Sequence, residues 1–161
     1  MRDIDSLVVE TAEAGRKLQT DEGAMPSGCN GPHEHKMTPA RNTSHWAITF
    51  LYAFEISKEE KFKRAAIKCL DLIISSSLRP MGGAFWHRCH IGKNSFNGLI
   101  GQSWSLEALY YGWKILGAEH YRAVGLEVFS QHIYEDTLGL WYQLDLDRSG
   151  YRVEQTLNQQ V

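Results

Sequence analysis

The chain has 161 residues, 43% hydrophobic and 22% charged, with a formal net charge of -2 at pH 7. That length allows one helical-hairpin domain over 1–161 with its own core, and the near-neutral balance argues against a nucleic-acid partner. No apolar run reaches membrane-spanning length. The three cysteines, Cys29, Cys69 and Cys89, do not make a disulfide framework. A cytoplasmic protein is therefore expected, and the N-terminal stretch MRDIDSLVVETAEAGRK lacks the long apolar core of a signal peptide.

Residues 3–19 place Ile4, Leu7, Val8, Ala12, Gly15 and Leu18 on one stripe, with Asp5, Glu10, Glu13 and Lys17 opposite. Steps of three and four predict a surface helix with one apolar face. A polar, turn-rich segment follows, Thr20 to Thr38. The next segment, NTSHWAITFLYAFEIS, is apolar or aromatic at nearly every position from Trp46 to Ile56. Such a helix is expected to be buried on all sides, with Thr43 or Ser44 as its cap.

KEEKFKRAAIKCLDLIISS returns to a single apolar face: Phe62, Ala65, Ala66, Cys69 and Ile73. LIGQSWSLEALYYGWKIL is again apolar nearly all round, and EHYRAVGLEVFSQHI is again one-faced. Outer and inner helices thus alternate. The two inner segments form an internal repeat, Trp104 following Trp46 by 58 positions, and each repeat is an αα-hairpin. Turns from inner to outer helix are short, at Ser57-Lys58 and Gly117-Ala118. Connections from outer to inner helix are long, about 20–39, 78–96 and 134–155, and loops of that length usually have a function. The third alternates apolar and polar residues around Asp147-Arg148-Ser149-Gly150, which predicts a small β-hairpin. The piece GGAFWHR is expected to be extended.

This order predicts an all-α fold, with helical hairpins around a core of inner helices and every long loop opening on one face. The polar candidates fall on those loops and on the adjoining helix starts. The first loop brings Cys29, Asn30, His33, Glu34, His35, Arg41, Asn42 and His45. The second brings Trp86, His87, Arg88, His90, Asn94, Asn97 and Gln102. The third brings Trp141, Tyr142, Arg152, Gln155 and Asn158. Helix N-termini with arginines beside them favour an anionic or hydroxyl-rich ligand. Aromatic rings next to amides suit sugar rings.

The hairpin alternation, TPARNTSHW, FWHRCHIGKNSFNGLIGQSWSLEAL and GLWYQ together resemble the (α/α)6-toroid, or six-hairpin, carbohydrate-active proteins. The resemblance is to bacterial polysaccharide-metabolism proteins, distantly akin to unsaturated glucuronyl hydrolases and toroid polysaccharide lyases. It covers about half of a full ring, and an Asn-His-Gln motif near the end stands here as Asn158-Gln159-Gln160. The resemblance implies an incomplete α/α toroid that binds or processes an acidic or hydroxyl-rich saccharide. His45 or His87 would be the base, Arg41 and Arg88 would hold the anion, Asn42, Asn97 and Gln102 would hold hydroxyls, and Asn158 would also bind substrate. Trp86 and Trp141 would stack on the sugar.

Beside each role stands a structural alternative, because the same side chains cap helices and stitch loops to helix ends. Hydrolysis by an acid pair finds no carboxylates at an informative spacing, and Glu107 is expected to be a core carboxylate bonded to loop N–H groups. CNGPHEH and HRCH match no structural zinc pattern, so neither a metal nor a cofactor is expected. The aromatics of the inner helices, Trp104 among them, are expected to be core. A rival reading is a non-catalytic, truncated toroid that self-associates through bare inner-helix surface, most simply as a homodimer.

Overall fold

The computed structural model of the chain describes residues 3–27, 39–80, 83–87, 98–137, 139–147 and 150–157. Five helices carry it: α1 (Ile4–Arg16), α2 (Pro39–Ser57), α3 (Glu60–Ile74), α4 (Gly98–Leu116) and α5 (Glu119–Ser130). A short β1 (Tyr134–Glu135), β2 (Leu140–Asp147) and β3 (Gly150–Leu157) follow as an antiparallel sheet in that order. Strands β2 and β3 pair from Tyr142 opposite Leu157 to Asp147 opposite Gly150, which is the expected hairpin. No described helix is long and apolar enough to cross a membrane.

Local chemistry sets the helix ends. The Asp3 carboxylate accepts the Ser6 N–H at 2.7 Å and caps α1. Helix α2 starts at Pro39, earlier than expected, because proline is well suited to a first helical position. Thr43 and Ser44 therefore lie inside the helix and do not cap it; the Ser44 hydroxyl donates to the Ala40 carbonyl at 2.8 Å. Both short turns use one device. Lys58 (φ 59°) and Gly117 (φ 69°) adopt the left-handed conformation. Their N–H groups close back on Phe54 O at 2.8 Å and Trp113 O at 2.9 Å.

Helices α2 and α4 pack against each other at the centre, with α1 and α3 on α2 and α5 on α4. The core runs through Phe50, Leu51, Phe62, Leu70, Ile73, Leu109 and Val128. Three close approaches need glycine, and at Gly23 a Cβ would collide with the Lys68 carbonyl. A Cβ on Gly15 would collide with the Trp46 indole, and one on Gly112 would lie 2.7 Å from Leu70 Cδ1. The Tyr121 hydroxyl donates to Asp71 at 2.7 Å and ties α5 to α3. Cys69 is fully buried, as expected, and burial pushes its thiol up to about 12.

The inner helices are not buried on all sides. His45, Tyr52 and Ile56 are exposed along α2, and Ser103, Glu107, Tyr110 and Lys114 are exposed along α4. The two stripes flank the α2–α4 seam, where the Tyr52 and Tyr111 rings meet at 5.4 Å. No described element covers this side. An apolar sequence shows that a side chain gains by burial; it does not supply the neighbour. The apolar stripe of α1 is likewise only partly covered, with Ala12 and Gly15 buried but Ile4 78% exposed.

The described parts of the long connectors gather at one end, as expected. Asn42 Nδ2 donates to Pro26 O at 2.9 Å and Met25 N–H to Thr43 Oγ1 at 3.3 Å, which holds the first connector to the start of α2. The second is held by Ala40 N–H on Trp86 O at 3.2 Å and Trp86 N–H on Leu78 O at 2.8 Å.

Candidate functional site

Where the connectors meet the first turns of α2 and α4, the indole of Trp104 is the hub. The Arg41 guanidinium lies over it, 4.0 Å from the ring centroid, a cation–π contact. The His45 ring is 5.9 Å away, tilted, and the His87 ring 5.9 Å away, edge-on. Below the indole runs a buried hydroxyl chain: Ser44 Oγ meets Ser105 Oγ at 2.7 Å, and Ser105 Oγ is 3.4 Å from His87 Nε2.

The two histidines sit in different surroundings. His87 is 1% exposed, so its ring is set by its neighbours. His45 stands at the surface of the cluster. Partial desolvation and then the Arg41 charge hold its pKa below the usual 6.5, and the Glu107 carboxylate opposes them. A neutral imidazole at pH 7 follows. Tyr52, a turn and more along α2, is pushed up to about 12, first by its hydrogen bond to Tyr111. It is a proton donor at neutral pH rather than a base.

Of the expected site residues, Arg41, His45 and His87 come together. Asn42 is half-buried and its amide holds the first connector. Gln102 is fully buried, with Phe85 N–H donating to its Oε1 at 2.6 Å and its Nε2 donating to Phe85 O at 2.9 Å. Its carboxamide thus clasps the second connector like the edge of a strand. Trp86 is half-buried against Ala84. Trp141 packs on Phe129 at 5.3 Å and Tyr134 at 5.1 Å, at the end of α5. Arg88, Asn97 and Asn158 lie outside the described residues, as do Cys29, His33, His35, Cys89 and His90. Among the described residues no group of three His, Cys, Asp or Glu side chains could hold a metal ion.

Two corrections concern α4. Glu107 is exposed on the open stripe, where its charge reaches both His45 and Tyr52; it is not a core carboxylate. Trp104, expected in the core, is half-exposed at the centre of the cluster. Its repeat mate Trp46 does pack inward, on Gly15 of α1. The repeat itself carried the signal: α1 precedes the first inner helix and offers a glycine seat, while Trp104 has polar neighbours from two connectors.

No family model matches the chain. It is 41% identical, over all 161 residues, to archaeal glycosylation protein Q of Haloferax volcanii. The chain spans 43% of that protein's length.

Proposed function

We propose that the chain binds or processes an acidic or hydroxyl-rich saccharide in a glycosylation system, at the cluster around Trp104. One observation carries this reading: a guanidinium stacked 4.0 Å over an indole that also meets two imidazoles. Similarity to a protein named for glycosylation supports it. The helical order, with central α2 and α4 and their connectors at one end, is read as about half of an α/α toroid.

The cluster favours lyase-like chemistry over acid-pair hydrolysis. The latter needs two carboxylates at a set separation, and none of Arg41, Ser44, His45, His87, Trp104 and Ser105 is one. Stacking occupies the face of Arg41 and leaves its N–H edge for a uronate carboxylate. His45, neutral at pH 7, accepts the C5 proton while Arg41 stabilises the charge that builds on the carboxylate. The electron pair then forms the C4–C5 double bond, the bond from C4 to the glycosidic oxygen breaks, and that oxygen takes up the proton that His45 accepted.

Titration with oligouronides and with common hexoses, followed by heteronuclear NMR, tests the site. Binding that perturbs the Trp104 indole and weakens in Trp104→Ala and Arg41→Gln is expected. Absence of binding at millimolar concentration overturns the reading. Growth of ultraviolet absorbance from an unsaturated product separates a lyase from a binding protein.

A further inference from the structure

On the flank of α4 away from α2 there is an apolar groove of about 290 Å³, lined by Leu109, Tyr110 and Trp113 of α4 and by Arg122, Leu126 and Phe129 of α5. Leu126 is 53% exposed and Tyr110 49%. Its charged rim is mainly basic: Lys114 Nζ lies 5.8 Å and the Arg122 guanidinium 5.4 Å from the Trp113 ring, with Glu119 3.5 Å from Arg122. At the opposite flank of the molecule, α1 and the end of α2 form a shallow depression of about 350 Å³, lined by Asp3, Asp5, Ser6, Val9, Glu10 and Ile56. That rim is acidic, and exposed Ile4 and Leu7 stand beside it.

We infer that these two surfaces are complementary halves of one contact between two copies of this chain. The α1 flank of one copy sits in the α4–α5 groove of the other, twice about a two-fold axis, so that the pair closes on itself.

Three observations fit together. Apolar meets apolar while an acidic rim meets a basic one. The charges also stand at the same height. Asp3 and Asp5 begin α1 and Ile56 ends α2, while Lys114 is near the end of α4 and Arg122 near the start of α5; all belong to the end away from the long connectors. The contact also continues the internal packing, in which α4 seats its Gly112 against Leu70 of the preceding hairpin. Because the two-fold repeats the contact in both directions, the interface is isologous and closes without a fibre.

Sedimentation velocity on the 161-residue chain over a concentration series tests this. A dimer is expected. Ile4→Glu and Leu126→Glu, both at exposed positions, each weaken it at least about tenfold, with unchanged circular dichroism as the check on folding. Asp5→Arg and Arg122→Glu each weaken it, and the double variant recovers affinity. A chain that stays monomeric overturns the inference and leaves the groove to a helical hairpin of another protein. A dimer broken by Leu126→Glu but not by Ile4→Glu overturns it too, in favour of groove against groove.

Discussion

Ser44 and Ser105 meet hydroxyl to hydroxyl at 2.7 Å across the seam of α2 and α4, both fully buried. The Ser44 proton goes to the Ala40 carbonyl, so Ser105 donates to Ser44. With its own proton committed, Ser105 accepts from His87 Nε2. For the neutral form of the His87 ring, this order of donors puts the proton on Nε2 and leaves Nδ1 as the acceptor nitrogen.

Replacing Ser105 by Ala removes the donor to Ser44 and the acceptor for His87 Nε2 at once. A loss of about 1–3 kcal/mol in urea unfolding is expected from the stranded buried groups. Long-range proton–nitrogen spectra of the parent protein should show the Nε2–H form of His87, and the variant a mixture. An Nδ1–H ring in the parent sinks the assignment.

Arg41 and Glu107 pull the His45 pKa in opposite directions. An NMR titration of the His45 ring should therefore move upward in Arg41→Gln and downward in Glu107→Gln. The same direction in both variants would mean that desolvation alone sets this histidine.

His132 is 6% exposed, and burial lowers its pKa to about 4. Between about pH 4 and 6.5 the unfolded chain binds a proton there that the folded chain does not. Stability from this group is thus complete above about pH 6.5 and is lost as pH falls toward 4, on the order of 3 kcal/mol in all. Urea midpoints measured across that window should fall with pH in the parent and fall less in His132→Leu. Parallel curves would refute the linkage.

Lys58 holds a left-handed conformation that its repeat counterpart Gly117 adopts without a Cβ penalty. Lys58→Gly is expected to stabilise the chain by about 0.5–1 kcal/mol, read from the urea midpoint. A less stable variant would place the Phe54 contact, 6.0 Å from the Lys58 ammonium, above the backbone strain.

Helix order, both short turns, the common end for the connectors and the β2–β3 hairpin were all legible, because each follows from local periodicity or turn chemistry. The buried set of α3 was read apart from Leu70: Phe62, Ala65, Ala66, Cys69 and Ile73 were named. The open stripe through Tyr52, Glu107 and Tyr110 was not, because hydropathy names the side chains that gain by burial and is silent on what arrives to bury them. Of the cluster around Trp104, Arg41, His45 and His87 were named by residue type and loop position. Trp104 was missed because an aromatic at helical spacing looks the same whether its face meets an alanine or a guanidinium. Gln102 was expected to meet a ligand hydroxyl, and its amide engages the second connector. An amide beside a loop can serve a ligand or the loop; here its carbonyl takes the Phe85 N–H at 2.6 Å.

That bond joins a side chain to main chain alone. The clasp at Phe85 therefore depends on the path of the backbone and not on which side chain stands at that position. Trp86, the half-buried member of residues 83–87, is thus where selection or a protein engineer could change a side chain with least disturbance to the frame.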